Sequence, residues 1–541
     1  MRGFILSLLV CFLGSQEMAQ EIKASEAHIK TLFGYNQKDL NNLEEEYNQL
    51  SNKIEKSTQY ISLNEAYIEG LRNNSTLKQY YYNVVSKEWE KVAAYREWMP
   101  TLSFYGYPAF GLYSYTNSTY YKNPDSSSSG STVTTTNTTS STGTSNNNST
   151  TTVTSTSNSS SSSNPYTYYN KQSALTPYAN FQWTFFDLSR ASKISAKSEE
   201  IDSAKFVFDS SARNILLDIA NAYYSLQAEL ELIEQYKNIL NITRESMLAV
   251  NAQREAGLKD YGDTAQVATQ YFSALNQLID SLNNLISGGS QLAKLIQDEP
   301  DVSIVLPSDA LSALEGWNQS LNDSLEHALA FNENIYNALA QSKSYSLQKD
   351  AQLKSYWPKL FLYAIGYYNR YDGTNYAPIG EGGEDSYYNQ ISTQMTGQVG
   401  IGFSWEFDGG VSLANANSFQ NLSLAKLEEA KDKKSLVVEK VKAYYGQYQT
   451  QKMKIINTKR GLNASKASQK IALEKYQLGL SDITTVVQAI QLYSTAVEEN
   501  IQSIKKYNEA IAELYRWSAQ WPSEMTEDIV TKYFNQQSTS N

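Results

Sequence analysis

The segment SLNEAYIEGLRNN (62–74) returns later in the chain as SLNDSLEHALAFN (320–332), at an offset of 258 residues (320 − 62). Each copy opens a helical pattern that ends at a proline, Pro100 or Pro358, and the two prolines keep the same offset. A tyrosine-rich, strand-like stretch follows each proline. The sequence therefore indicates two tandem copies of one structural unit.

The offset between the copies changes farther along the chain. Phe186 and Phe407 begin matching Phe-Asp pairs at an offset of 221 (407 − 186), and Gly257 and Gly479 lie in matching Gly-Leu turns at an offset of 222 (479 − 257). The first copy thus holds roughly 37 additional residues (258 − 221), which we assign to a longer loop between its strands.

Long helices are predicted by the scarcity of proline and glycine, 10 and 26 among 541 residues, and by the absence of both from 188–256. Without a proline to remove a backbone donor, this range can form one helix of roughly 100 Å. Apolar residues recur at heptad spacing, as coiled-coil packing requires. A soluble bundle would show the same seam, which in the first copy comprises Leu216, Ile219, Tyr223, Leu226, Leu230 and Ile233.

Composition excludes several classes of protein. The net charge of −11 and the lack of a concentrated basic stripe argue against a nucleic-acid partner. The single cysteine, Cys11, excludes a disulfide-built domain. Histidine occurs only as His28 and His327, so we expect no metal site and interpret His327 as structural. No carboxylate pair stands out as catalytic, and the sequence predicts neither an enzyme nor a cofactor.

Near the N terminus, the basic residue Arg2 precedes a short apolar run, which is typical of a secretory signal covering residues 1–19. A lipoprotein signal ending at Cys11 is the alternative. Residues 20–60 are polar and helix-prone, and either a coiled arm or a poorly ordered extension fits them. No later stretch reaches ~18 consecutive apolar residues, so no transmembrane helix is expected.

Two stretches alternate between apolar residues and small or polar ones, as β-strands do. We predict lipid-facing side chains at Phe181, Trp183 and Phe185 in the first copy and at Ile401, Phe403 and Trp405 in the second. A half-buried strand of a soluble sheet would alternate in the same way. The secretory signal and the absence of apolar helices favour strands of a membrane β-barrel.

The extra residues of the first copy, 122–165, lie between its strands, and 126–164 contain only Ser, Thr, Asn, Gly, Val and no charge. Because such a segment cannot bury a core, we expect a disordered loop that projects from an extracellular hairpin tip. The loop at 371–390 occupies the same place in the second copy.

Each copy supplies about two strands, and four strands are too few to close a barrel. Open edges cannot face lipid, because their backbone groups would stay unpaired. We therefore predict a barrel shared between chains, eight-stranded in a dimer or twelve-stranded in a trimer, with the long helices on the side opposite the extracellular loops.

These observations divide the chain into five parts. They are a signal peptide (1–19), an N-terminal extension (20–60), a first repeat with its loop (61–300), a second repeat (301–520) and a C-terminal tail (521–541).

The order of these parts resembles the outer-membrane efflux proteins, the TolC-like channel-tunnels, over residues 61–519. The resemblance rests on the duplication, the Trp-Pro entry to each first strand, the FDGG exit at 407–410, and the turns REAGLKDYGDTAQV (254–267) and YQLGLSDITTVVQA (476–489). The first copy departs from this pattern, because FDLS stands at its exit (186–189).

The resemblance implies a mainly α-helical homotrimer with a twelve-stranded membrane β-barrel and an α-helical periplasmic tunnel. In the outer membrane of a Gram-negative-type cell, such a duct docks with a periplasmic adaptor (membrane fusion) protein and an inner-membrane pump. It passively exports small molecules or proteins, by efflux or type I secretion. The alternative function is a coiled-coil surface adhesin or a structural envelope protein.

The resemblance also implies functional residues at the hairpin turns. The Gly-Leu pairs would form the periplasmic tip that docks the adaptor, through Gly257, Leu258, Gly479 and Leu480. A purely structural role is the alternative, because glycine permits a tight turn between antiparallel helices.

Acidic residues narrow the periplasmic entrance in this family. Asp263 matches one such position, whereas the second copy has Thr485 and Gln488 where acids often stand, and Asp482 is the substitute candidate.

Overall fold

The computed structural model describes residues 37–106, 112–120, 133–138, 166–257, 259–297, 304–377 and 386–522. The predicted signal peptide with Cys11, His28, Leu258, residues 122–132 and 139–165 of the first predicted loop, residues 378–385 of the second, and the tail beyond 522 lie outside the described residues. The predicted bounds of the second loop, 371–390, were too wide, because residues 371–377 and 386–390 belong to strands.

The first half of the chain contains five helices and seven strands within the described ranges. They are α1 (Gln37–Lys56), β1 (Thr58–Ile61), α2 (Leu63–Asn73), α3 (Ser75–Arg96), β2 (Thr101–Gly106), β3 (Leu112–Tyr120), β4 (Val133–Thr138), β5 (Tyr166–Leu175), β6 (Pro177–Phe186), α4 (Leu188–Glu255), α5 (Tyr261–Ile296) and β7 (Ile304–Pro307).

The second half repeats the helix–helix–strand–strand–helix–helix order with fewer interruptions. Its elements are α6 (Leu321–Phe331), α7 (Glu333–Ser355), β8 (Lys359–Ala377), β9 (Ser386–Ser404), α8 (Val411–Gln477) and α9 (Ile483–Trp517). The prediction of a mainly helical chain with long helices is confirmed, since α4 has 68 residues and α8 has 67.

Both copies open with the same capping box. The Ser62 hydroxyl accepts a bond from the backbone N–H of Glu65, and the Glu65 carboxylate accepts one from the backbone N–H of Ser62. Ser320 and Asp323 form the same pair at the start of α6. Each box satisfies two backbone donors that the helix cannot, which is why the repeated SLN motif marks a helix start.

An asparagine breaks the helix at the same place in each copy. The amide oxygen of Asn74 accepts bonds from the N–H groups of Thr76 and Leu77, and its amide nitrogen donates to the Leu295 carbonyl at 2.9 Å. Asn332 donates to the Trp517 carbonyl at 3.5 Å. The break thus ties the short helices of each copy to the end of its last helix.

The main sheet is antiparallel and runs in the order β2-β6-β8-β5-β3-β4, with β9 on β8. Because β5 and β6 both pair with β8, β2 and β3 together act as one strand position, and β5 and β6 as the next. Each copy therefore contributes two strand positions, as predicted. The additional strand β4 lies inside the loop that was predicted to be disordered, and it pairs with Tyr115–Tyr120 of β3. Its β-branched Val and Thr residues favour extended backbone.

A second sheet was not predicted from the sequence. β1 and β7 pair in parallel, with Thr58 opposite Ile304 and Ile61 opposite Pro307. Four-residue strands that pair across more than 240 residues leave almost no local signal.

The described contacts divide the chain into two compact units, 1–87 with 199–342 and 424–541, and 88–198 with 343–423. The first unit holds the hydrophobic core, in which the predicted heptad residues Ile219, Tyr223 and Leu226 are almost fully buried. Within the extension 20–60, α1 also joins this core through Tyr47 and Ile54. None of the described helices is both long and apolar enough to cross a membrane.

Candidate functional site

One face of the main sheet is apolar across all four strand positions. Register places Leu102 opposite Phe181, Trp183 opposite Leu362, and Leu362 opposite Ile401. Predicted lipid-facing residues from both copies thus share this face. Its large apolar side chains on β9 are strongly exposed, with Ile401 72% and Phe403 71% accessible.

The opposite face is polar or glycine-rich at β9 and carries larger side chains on β8. Gly402 lies opposite Phe361, and Gly400 lies opposite Tyr363. A Cβ at Gly402 would approach the Phe361 ring to 2.5 Å, so the glycines make room for the rings. Asn180 and Gln182 of β6 lie on this same face.

A β-bulge interrupts the predicted alternation at Phe185. Thr184 pairs with Phe361 and Phe186 pairs with Leu360, so Phe185 has no residue opposite it. Its ring still lies 6.1 Å from that of Trp183. The bulge adds one residue to the first copy, so the offset between the copies falls from 222 at Trp183 and Trp405 (405 − 183) to 221 at Phe186 and Phe407 (407 − 186).

Two tryptophans anchor the ends of the outgoing strands in the same way. The Trp183 indole N–H donates to the Trp98 carbonyl at 2.9 Å, and the Trp405 indole N–H donates to the Tyr356 carbonyl at 3.0 Å. Both indoles thereby satisfy their only polar group and keep the ring available for apolar contact.

The turn of the second helical hairpin ends α8 with a Schellman motif. The N–H of Leu480 donates to the Lys475 carbonyl at 2.8 Å, and the N–H of Gly479 donates to the Tyr476 carbonyl at 3.0 Å. Gly479 has a φ of 72°, which side chains with a Cβ rarely adopt. Gly257, which follows α4, has a φ of 71°, and its N–H donates to the Arg254 carbonyl at 2.9 Å.

The two turns lie side by side in one unit. The Tyr476 hydroxyl donates to the Gln253 side-chain oxygen at 2.9 Å, and the Lys259 ammonium lies 5.2 Å from the centre of the Tyr476 ring. Farther along, Thr484 donates to Gln266 at 3.0 Å. The copies therefore present a joint tip rather than two separate turns.

Apolar side chains project from this tip. Leu480 is 74% accessible and Leu478 is 73% accessible. Leu478 was not among the predicted tip residues, although the turn QLGLSD places a leucine on each side of Gly479. The second turn therefore presents two large apolar side chains to the surroundings, one on each side of Gly479.

The two candidate entrance acids differ in their partners. Asp263 lies in the first turn of α5, and its carboxylate is 3.4 Å from the Lys259 ammonium. This carboxylate also contributes, after burial, to raising the pKa of Tyr476. Asp482 is the N-cap residue of α9, makes no capping bond with its side chain, and is exposed. Asp260 caps α5 by accepting from the N–H of Asp263.

A buried ion pair in the first unit was not anticipated from the sequence. The Arg516 guanidinium donates to the Glu333 carboxylate at 2.8 Å and to the Ser210 hydroxyl at 2.9 Å, and both charged side chains are almost fully buried. Burial and the nearby Glu333 carboxylate raise the pKa of Asp209 to about 6. Residues 183 positions apart in sequence gave no signal that they would meet.

His327 has a structural environment. Its Nδ1 lies 2.7 Å from the Ser518 carbonyl, and its ring packs 4.7 Å from that of Phe331. No group of three His, Cys, Asp or Glu side chains in the described ranges could hold a metal ion.

A known protein family matches both copies of the chain. The model of the family "Outer membrane efflux protein" matches residues 107–296 and 324–519, one match in each copy. The chain belongs to the outer membrane efflux protein family. Proteins of this family are outer-membrane channels and not enzymes, so the predictions of family and of a non-enzymatic role are confirmed.

Solved structures show the same fold at low sequence identity. The Campylobacter jejuni CmeC outer membrane channel is 13% identical, with a TM-score of 0.62 over 87% of this chain and 89% of its own. The Vibrio cholerae outer membrane protein VceC is 16% identical, with a TM-score of 0.59 over 85% and 96%. The Neisseria gonorrhoeae MtrE channel is 15% identical, with a TM-score of 0.56 over 85% and 89%. No curated protein sequence matches the chain.

Proposed function

We propose that this protein is a passive outer-membrane channel-tunnel that exports small molecules or proteins, by efflux or type I secretion. The observation that carries the proposal is the four-position sheet, whose apolar face is exposed. A soluble protein would bury such a face, whereas lipid can cover it without any other element. The family match supports an outer-membrane location.

The working form that we propose is a homotrimer. Four strand positions in each chain give a barrel of twelve strands, and the polar face of the sheet lines its lumen. The helices α4, α5, α8 and α9 of three chains form the periplasmic tunnel. Phe181, Trp183, Phe185, Ile401, Phe403 and Trp405 contact outer-membrane lipid.

The joint hairpin tip is the proposed docking surface for a periplasmic adaptor protein, which links the channel to an inner-membrane pump. Gly257 and Gly479 hold the turns, and Leu258 and Leu480 belong to the surface that the adaptor covers. Support comes from the two adjoining turns and from the exposed leucines at the second one.

Asp263 and Asp482 are proposed to line the periplasmic entrance. Their different environments predict unequal roles. Asp263 is held by Lys259, while the uncommitted carboxylate of Asp482 is available to cations that enter the tunnel.

The proposed pore is tested by adding the detergent-purified protein to planar lipid bilayers. A channel-tunnel gives discrete conductance steps that depend on protein concentration, whereas an adhesin or structural envelope protein gives none. A bilayer that stays insulating under conditions where the protein is incorporated would overturn the pore.

The docking role is tested in cells that depend on this protein for export. The double variant Gly479→Arg with Leu480→Glu should abolish export while outer-membrane trimers persist. The matched control, Gly461→Arg with Leu492→Glu, alters an exposed glycine and leucine away from the turn and should retain export. Equal loss in both variants, or normal export by the first, would contradict docking at the tip.

A further inference from the structure

The two strand pairs that lie within single copies have the same register. Thr101 lies opposite Gln182 in β2 and β6, and Lys359 lies opposite Ser404 in β8 and β9. The incoming strands are offset by 258 (359 − 101) and the outgoing strands by 222 (404 − 182). The Trp183 and Trp405 indole bonds obey the same two offsets. Equivalent positions in the two copies are therefore fixed residue by residue.

The joint between the copies is the pairing of β6 with β8. Gln182 lies opposite Tyr363, and Thr184 lies opposite Phe361. This joint connects the outgoing strand of one copy to the incoming strand of the next. It shows the register in which an outgoing strand pairs with the incoming strand of another copy.

An incoming strand, β2, and an outgoing strand, β9, also form the two borders of the sheet. In the described part of the chain β2 pairs only with β6, and β9 pairs only with β8. The apolar alternation continues past the end of β9, because Trp405 and Phe407 are strongly exposed although the strand stops at Ser404. Residues 405–407 thus have the pattern of a strand without a neighbour.

We propose that β9 and the residues after it pair with β2 of a second copy of this chain, in the register of the β6–β8 joint. Applying the two offsets to that joint places Ser404 opposite Tyr105 of the next copy, and Glu406 opposite its Ser103. This inference rests on the proposed homotrimer and adds the register of its interfaces.

The faces of the sheet agree with this register. It places Trp405 beside Phe104 of the next copy, and both residues belong to the apolar face. Ser103, Tyr105, Ser404 and Glu406 all fall on the polar face. Four strand positions in each chain also make the border strands antiparallel, so the new joint has the same polarity as the others.

The proposal covers β2 but not β3. β4 already pairs with Tyr115–Tyr120 of β3 on that border. Along β2, unpaired N–H and C=O groups would face lipid at a cost of several kcal/mol each, and pairing with a second copy removes this cost.

Disulfide trapping with four cysteine substitutions tests the register. In a Cys11→Ser background, Ser103→Cys with Glu406→Cys and Tyr105→Cys with Ser404→Cys are the matched pairs. Ser103→Cys with Ser404→Cys and Tyr105→Cys with Glu406→Cys are the mismatched pairs. All four residues share one face, so only the register distinguishes the pairs, since opposed Cβ atoms lie within ~5.5 Å and diagonal ones do not.

Upon oxidation in outer membranes, the matched pairs should form covalent oligomers at least ten-fold faster than the mismatched pairs, reversibly with a reductant. Trimers in which a mismatched pair reacts faster, or in which no pair reacts, would overturn the register but leave the proposed channel intact. A protein that stays monomeric in the membrane would overturn both.

A second measurement covers the case in which a cysteine variant fails to assemble. A photoreactive phenylalanine analogue at Trp405, in the otherwise native chain, should label residues 102–106 of another copy, as read by peptide mass spectrometry. Labelling only within the same chain would overturn the proposal.

Discussion

The two copies in this chain agree in the sheet and differ in the helical unit. Their hairpins share one register and matching tryptophan anchors, and both copies open with the same capping box. In the helical unit, the second copy buries Glu333 against Arg516, whereas the equivalent positions in the first copy are Ser75 and the exposed Lys294. The features that both copies retain are those that align strands and start helices, while the packing between helices has diverged.

The exits from the two hairpins show how one role is filled by different residues. Asp187 accepts a bond from the N–H of Ser189 at 2.9 Å, directly at the start of α4. Asp408 accepts a bond from the N–H of Ser412 at 2.7 Å, after a turn in which Gly409 and Gly410 have positive φ. The departure of FDLS from FDGG therefore preserves the carboxylate cap and replaces the turn.

The largest expected effect comes from breaking the ion pair that only the second copy has. Arg516→Met removes the guanidinium 2.8 Å from the buried Glu333 carboxylate and leaves it only the Arg213 guanidinium at 4.0 Å, so the free energy of unfolding should fall by about 3–5 kcal/mol. Chemical denaturation of the detergent-purified protein, followed by helical circular dichroism, measures the loss. The equivalent exposed residue in the first copy provides the control, because Lys294→Met should change stability by about 0.5 kcal/mol or less. Similar losses of stability in Arg516→Met and Lys294→Met would show that the ion pair does not distinguish the two copies.

The next effect comes from giving the first copy a residue of the second. Gly289 packs under β7, and the equivalent residue in the second copy is the buried Ile511. A Cβ at Gly289 would lie 2.3 Å from Ile304 Cγ2 and 3.1 Å from the Val305 carbonyl oxygen. Gly289→Ile should therefore lower the free energy of unfolding by about 2–3 kcal/mol through overpacking. Gly461→Ile, at a helical glycine with open space around it, should lower the free energy of unfolding much less. An equal loss in both variants would show that β7 moves aside without strain.

A pH-dependent effect follows from Asp209, which faces Glu333, Arg213 and Lys205. Its pKa is raised to about 6 in the folded chain, so the folded state holds this proton more tightly than the unfolded state. Stability from this group is present below the ordinary pKa of about 4 and is lost as the pH rises to about 6. Asp209→Asn should be more stable than the native protein by about 2 kcal/mol near pH 8, and nearly equal to it near pH 4. Asp202→Asn, at an exposed position, should leave the pH dependence of the melting temperature unchanged.

The smallest expected effect concerns a feature that the copies share. Gly479→Ala and Gly257→Ala each force a Cβ into the left-handed region, and each should cost about 1 kcal/mol. Gly461→Ala, within α8, should instead be neutral or slightly stabilising. Melting temperatures of the three variants check this comparison. A loss in only one of the two turns would show that the turns are not equivalent.

Much of the fold could be predicted from the sequence because its signals are local and occur twice. The SLN capping motif, the Trp-Pro entry and the alternation from Val399 to Phe407 each specify an element directly. Repetition predicted two copies of one unit, and the family model matches once in each of them. The bulge at Phe185 changes the offset between the copies by a single residue, from 222 (405 − 183) to 221 (407 − 186), and such a change has no structural meaning until the register is known.

The remaining features depend on residues that meet across long sequence separations. The β1–β7 pair and the Arg516–Glu333 pair each join segments that carry no sign of their partner. At the hairpin tip, the glycines were predictable from the turn they permit. The contact of Tyr476 with Gln253 depends on how the two hairpins pack, which periodicity does not determine.

We propose that several copies of this chain enclose one continuous duct. Electron microscopy of the detergent-purified mature protein, with averages viewed along and across the long axis, tests it most directly. We expect particles with three-fold symmetry and a central channel that continues from the barrel into the helical tunnel, since a helix of 68 residues is roughly 100 Å long. Monomers, or a solid stalk without a lumen, would contradict it.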